Sequence, residues 1–246
     1  MQIENTQYNI ETPRPGCPDM WNAFMVQEAT FTEKTDIPIC PCTANTLPTE
    51  LISYEDAKTL YKKELKKGNN DFFVNAFIHF YIDDQKFDGK RSSIWLYPYD
   101  ALDIIKHFAG IITPDFSTNA DFPDPWKRYN TYRMRAFGCW MNSLNIPTIN
   151  NVRWGTIETW EYCFDGIPKN EIVAIGTVAS SLRQLSVRPN FEYGLTKMVN
   201  TLEPHTIIVY GSDKYPFFDS IREKGINIIA FPSKTSTAFA RRKSHE

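Results

Sequence analysis

Asp83, Asp84, Asp115, Asn151 and Arg153 each stand at or just beyond the end of a short, nearly continuous apolar run. Residues of these types suit a polar or anionic small ligand. A guanidinium such as that of Arg153 grips a phosphate or carboxylate bidentately. Trp154 beside it offers a face for stacking on a ring. Asp83 or Asp84 together with Asp115 forms an acid–base pair or an oxygen seat for a divalent metal. Ser117, two residues past Asp115, can hydrogen-bond that carboxylate. Gly176-Thr177, Tyr210-Gly211-Ser212 and Pro232-Ser233 close three further apolar runs, and amides at Gly211 and Ser212 would suit a phosphate. The competing reading is structural: the aspartates cap the helices that follow, or pair with Arg133, Arg135 or Arg153.

Other chemistries find less support. His79, in Phe77-Ile78-His79-Phe80-Tyr81, shares a strand face with Asp83 by the two-residue period and reads as a buried, hydrogen-bonded histidine. No His-x-x-x-His or Glu-x-x-His element is present to favour zinc or di-iron. Cys40-Pro41-Cys42 lacks the two-residue spacing and the second pair of a zinc ribbon. Ser212 lacks the nucleophile-elbow glycines of a serine hydrolase. The residues name no cofactor.

The elements that must position these groups alternate. Strand candidates are Ile37–Cys40, Phe73–Ile82, Ile111–Pro114, Thr148–Val152, Ile172–Ile175, Thr206–Tyr210 and Ile226–Phe231. Between them run helix patterns over Ser53–Lys67, where Ser53 and Asp56 resemble a capping box, Tyr99–Ala109, Pro125–Leu144, Ile157–Phe164, Phe191–Leu202 and Pro216–Lys224. Unbroken apolar strands mark a parallel sheet covered on both faces. Seven strands alternating with six helices predict an α/β fold with a parallel sheet, doubly wound or closed into a barrel; since no Gly-rich dinucleotide loop opens any of the helices, the barrel is the preferred form, incomplete if no eighth strand forms near Trp21–Val26. On Pro125–Leu144 the pattern predicts aromatics turned inward and arginines outward. Residues 1–20 read as an irregular arm, 21–233 as one domain and 234–246 as a polar, basic tail.

Composition narrows the class. With 27 Lys plus Arg against 29 Asp plus Glu, the chain lacks the basic excess of proteins that live by neutralising phosphates. No apolar run reaches 18 residues and the start lacks a signal-peptide layout, so neither membrane nor export is expected. Five cysteines make no disulfide framework and fit a reduced cytoplasm.

Six ordered motifs carry a resemblance: His79-Phe80-Tyr81-Ile82-Asp83-Asp84, Pro114-Asp115-Phe116-Ser117, Asn130-Thr131-Tyr132-Arg133, Asn151-Val152-Arg153-Trp154-Gly155, Cys163-Phe164-Asp165-Gly166-Ile167-Pro168 and Ile208-Val209-Tyr210-Gly211-Ser212. Together, over roughly Trp21 to Ser233, they resemble a domain-of-unknown-function family of phages, prophages, plasmids and other mobile elements of Gram-positive bacteria. Many members carry an acid after the Trp-Gly, where this chain has Thr156. The resemblance implies a phage or mobile-element protein of the host cytoplasm and names no reaction. It does gather signature residues at the strand ends already singled out. The expectation is a pocket there that binds a small anionic, nucleotide-like molecule, with hydrolysis as the further step the carboxylates would allow. The alternative is a non-enzymatic accessory that binds a host protein or nucleic acid, suggested by the 14% aromatic content and the basic tail.

Overall fold

A computed structural model describes residues 19–178, 180, 182, 184–234, 236 and 237. Seven strands form one sheet: β1 (Leu51–Ser53), β2 (Val74–His79), β3 (Phe108–Ile112), β4 (Thr148–Asn151), β5 (Ile172–Gly176), β6 (Thr206–Tyr210) and β7 (Asn227–Phe231). They are all parallel and lie side by side in chain order. Five α-helices fill the crossovers: α1 (Tyr54–Lys66), α2 (Pro98–Ile105), α3 (Asp124–Ser143), α4 (Arg188–Leu202) and α5 (Pro216–Glu223). A 3₁₀ turn, Ile157–Glu161, joins β4 to β5. With neighbours joined in unbroken order, the helices pack on one face, against the outward side chains of the strands. The other face is left to curl on itself.

The curl can be measured. Strands β2 and β6 are four positions apart, roughly 19 Å across a flat sheet at ~4.8 Å per strand. Yet the His79 ring on β2 lies 4.0 Å from the Tyr210 ring on β6. The concave face therefore closes on its own side chains: Phe77, Ile112, Ile149, Ile172, Ala174 and Ile208 form one apolar cluster with Tyr81 and Tyr210. Their strand neighbours Ile78, Ile111, Val173, Ile175, Ile207 and Val209 point outward into two clusters under the helices. Among the described residues β1 pairs only with β2 and β7 only with β6. The result is a curled half-barrel whose open seam is bridged by an ion pair between Lys234, just past β7, and Asp56 at the start of α1.

Several local expectations change. Ile37–Cys40 is not a strand; it makes one antiparallel bridge, Phe31 to Pro38. The chain beyond it runs along the N-terminal end of the sheet, where Thr43 and Thr148 exchange hydrogen bonds and Ala44 joins the interior cluster. Trp21–Val26 supplies no eighth strand; Ala23–Val26 is a 3₁₀ turn. The first strand is instead Leu51–Ser53, three residues whose last caps α1: the Ser53 hydroxyl accepts the Asp56 amide and donates to its carboxylate. The helix expected over Tyr99–Ala109 ends at Ile105, and Phe108 already belongs to β3. The arm and the tail lie almost wholly outside the described residues. No described helix is long and apolar enough to cross a membrane.

Arg128 of α3 faces outward as expected, but Arg133 and Arg135 are turned inward, the largest correction. Arg135 is fully buried and donates to three backbone carbonyls, of Asn151, Cys163 and Asp165. Burial pulls its guanidinium down to about 10. Arg133, 4% exposed, pairs with Asp88 at 2.8 Å, donates to Asn130 at 2.6 Å and lies 3.9 Å over the Phe116 ring. Trp126 instead is exposed. The reason is position: α3 packs against the middle of the sheet, so loop carbonyls and carboxylates supply partners for cations on its inner face.

Candidate ligand site at the barrel mouth

The interior changes character along the strands. Toward their N-terminal ends it is apolar; at the carboxyl ends the inward positions are Ser53, His79, Asn151, Gly176 and Tyr210, since each lies two residues beyond an inward apolar neighbour. Asn151 anchors the site. Its backbone amide donates to the Thr113 hydroxyl, its side-chain oxygen accepts the Tyr81 hydroxyl at 3.0 Å, and its side-chain NH₂ donates to Asp115 at 2.8 Å. The second Asp115 oxygen accepts from Arg153 at 2.6 Å, and Arg153 also donates to Asn119 at 3.3 Å. Tyr81, Asp115, Asn151 and Arg153, from the ends of three neighbouring strands, are thus one hydrogen-bonded chain. Arg153 is its outer member, with 29% of its side chain exposed.

A second tier holds the loop after β3. Asp84 accepts from both the backbone amide and the hydroxyl of Ser117, at 3.1 and 2.9 Å. The Ser117 carbonyl accepts from Asn130, which in turn receives Arg133. The Pro114–Ser117 and Asn130–Arg133 motifs are therefore two sides of one clamp on the Asp115 loop. Burial raises the Asp84 carboxyl above its usual range and Asp115 adds to this, while the Ser117 donors and Arg153 oppose it. Burial also pushes the Tyr81 phenol well up, so it stays a neutral donor to Asn151.

The candidates from the sequence do not all share this place. Asp84, Asp115, Ser117, Asn151 and Arg153 come together. Asp83 is exposed, and its backbone carbonyl starts a 3₁₀ turn by accepting the Lys86 amide; Asp84, not Asp83, is the acid beside Asp115. Trp154 packs among Phe164 and Phe191 in the outer layer, where a Cβ on Gly194 would stand 2.1 Å from its indole nitrogen. Its ring is used in packing against α4. At the ends of β5 and β6 the Thr177 hydroxyl donates to the Ser212 carbonyl, and the Gly211 amide to Phe231, so that amide is engaged within the sheet. Gly211 has φ 121°, and a Cβ there would meet the Thr177 hydroxyl at 2.3 Å. Tyr210 stacks on Tyr81 at 5.4 Å and 10°, and Gly176 leaves room for the Tyr81 ring. Among the described residues no three His, Cys, Asp or Glu side chains are grouped to hold a metal ion.

Sequence reasoning passed over Tyr81, Asn119 and Asn130. The signal for Tyr81 was present in the period that sets it on the face of His79. Asn119 and Asn130 reach the site only through loop and helix geometry.

The molecule is thus a singly wound parallel α/β half-barrel with a polar mouth at the strand C-termini. The chain belongs to the family described as Domain of unknown function (DUF4417), which matches residues 30–232 and so takes in every strand and each of the residues above. It is also similar to the "Gene 1 protein" of Mycobacterium phage L5, 33% identical over 135 residues, 54% of this chain and 56% of that protein. The "Gene 1 protein" of Mycobacterium phage D29 is 30% identical over 138 residues, 56% of this chain and 49% of that protein. The chain therefore spans about half the length of these curated relatives. No solved structure matches it.

Proposed function

We propose that the barrel mouth binds a small anionic, nucleotide-like molecule, in a protein of phage or mobile-element origin that works in the host cytoplasm. The observation that supports it is the Tyr81–Asn151–Asp115–Arg153 chain, which holds a partly exposed guanidinium over a fixed carboxylate where parallel α/β folds place their ligands. In this reading Arg153 takes the anion, and Asp115 with Asn151 orients it. Asp84, whose carboxyl is shifted toward the protonated form, is the group through which hydrolysis would follow.

The test is a thermal-shift screen with nucleotides and sugar phosphates, with and without divalent metal ions. A ligand at 100 times its Kd adds about 2.7 kcal/mol, roughly 5–10 °C for a domain of this size. Asp115→Asn and Arg153→Ala should lose that shift while keeping the native circular dichroism. Variants that are stabilised as strongly as the wild type would remove the cluster from the site, and a screen without any shift would remove the ligand class.

A further inference from the structure

Lys127, in the first turns of α3, is a cation placed almost wholly inside the protein, 6% exposed. Among the described residues it has no ion pair, and its ammonium has no hydrogen-bond acceptor. Asp124 and Glu158 feel its charge, but Asp124 is held by Arg128 and the Tyr162 hydroxyl, and Glu158 is exposed. Helical spacing fixes where the side chain goes. Asp124, three residues before it, is bonded to Tyr162, and Asn130, three residues after it, donates to the Ser117 carbonyl. Lys127 lies between them on that face, so it runs into the crevice between the loop after β3 and the 3₁₀ turn after β4. Thr118 is on the opposite wall. It is 3% exposed, and its hydroxyl is buried with no hydrogen-bond partner among the described residues. A Cβ on Gly155 would stand 2.7 Å from the Thr118 carbonyl oxygen and 3.2 Å from the Thr159 methyl, so the two loops are in contact here. Arg153, two residues before Gly155, donates to Asn119, the neighbour of Thr118.

We propose that this crevice, at the ends of β3 and β4, seats the phosphate of a phosphomonoester, with the Lys127 ammonium, the Thr118 hydroxyl and the Arg153 guanidinium as its donors. The seat rests on the reading that the mouth binds an anionic molecule, and it names the anionic group. A buried hydroxyl without a partner is costly unless something accepts from it. A cation without a counter-ion beside it selects an anion as that acceptor. A lysine can bury its stem and leave its head in water, which would account for Lys127 but would leave the Thr118 hydroxyl unpaired. The number of donors then chooses between anions. Three donor groups from three segments of the chain suit the three terminal oxygens of a phosphomonoester, and a lysine serves such a group as a point charge beside the planar fork of an arginine. A carboxylate offers two oxygens in one plane. Asp115 already neutralises Arg153, so the uncompensated attraction comes from Lys127.

The experiment titrates the whole protein calorimetrically with adenosine monophosphate, adenosine and inorganic phosphate. The monophosphate should bind, adenosine should bind at least about tenfold more weakly, and inorganic phosphate should compete with the monophosphate. Lys127→Met keeps the stem and Thr118→Val keeps the shape; each should weaken the monophosphate about tenfold while circular dichroism stays native. Acetylation of the wild type by acetic anhydride, followed by mass spectrometry, needs no variant to fold: the monophosphate should slow modification of Lys127 relative to the exposed lysines. Either variant binding as the wild type does, adenosine binding as tightly as the monophosphate, or modification of Lys127 unchanged by the monophosphate would overturn the seat. The outcomes also separate it from the first reading. If the monophosphate depends on Asp115 and Arg153 but ignores Lys127 and Thr118, only the seat falls. If it depends on Lys127 and Thr118 but ignores Asp115 and Arg153, the phosphate lies on Lys127 and Thr118 and the first reading falls. Binding of none of the three ligands removes both.

Discussion

His79 makes an unusually direct link between burial and pH. Its ordinary value is 6.5, and desolvation on the inner face of β2, aided by Lys234, lowers it to about 3. The sign follows from which state takes the proton. Below pH 6.5 the unfolded chain protonates this imidazole and the folded protein does not, so stability is complete above 6.5 and declines as pH falls toward 3. The loss is about 1.4 kcal/mol for each pH unit, or about 2 kcal/mol between pH 7 and pH 5. Other acids and histidines titrate in the same window, so wild type alone would not isolate it. His79→Gln keeps an acceptor for the Tyr81 amide and cannot titrate. Urea denaturation of both proteins at pH 7, 6 and 5 should show wild type losing about 2 kcal/mol more than the variant. Parallel losses would mean that the folded protein protonates His79 as readily as the unfolded one, and the buried-neutral argument would be wrong.

Arg135→Met should cost at least about 3 kcal/mol in urea denaturation, because the backbone carbonyls of Asn151, Cys163 and Asp165 lose this donor in a dry interior; a cost under about 1 kcal/mol would show that those carbonyls find other donors. Gly166→Ala places a Cβ 2.2 Å from the Pro38 carbonyl at a residue with φ 73°, so a loss of about 2 kcal/mol or more is expected, and an unchanged Tm would contradict the close approach of the 37–40 segment. Tyr81→Phe removes one hydroxyl from Asn151 at a cost of about 1 kcal/mol. It should also weaken whatever ligand the thermal-shift screen finds, through a freed Asn151 amide, and undiminished affinity would separate Tyr81 from the site.

The order of elements, the parallel sheet and the polar strand ends could all be read from the chain, because each depends on local pattern. An apolar run of five residues bounded by a turn is a buried strand wherever it lies, and Ser53 with Asp56 caps a helix regardless of what the helix packs on. The loop after β3 is a partial case. Asp115 and Ser117 were recognisable as a pair of polar groups at a strand end, yet Ser117 bonds Asp84 and Asp115 bonds Asn151 and Arg153. Sequence distance favoured the neighbour two residues away; the adjacent strand end, far away in the chain, supplied the better geometry.

The chain alone therefore locates six of the seven strands, the five α-helices and the ends at which the chemistry collects. Which side of the sheet faces the interior is settled by long-range packing. In β5 and β6, buried on both sides, almost every position is apolar, so those strands carry no inward-versus-outward alternation to read, and the curl of the sheet alone brings His79 against Tyr210. The same holds for α3, where Arg133 and Arg135 looked like solvent-facing cations. Whether a cation is buried depends on carbonyls and carboxylates from loops distant in the chain, and those partners exist only once the fold has assembled them.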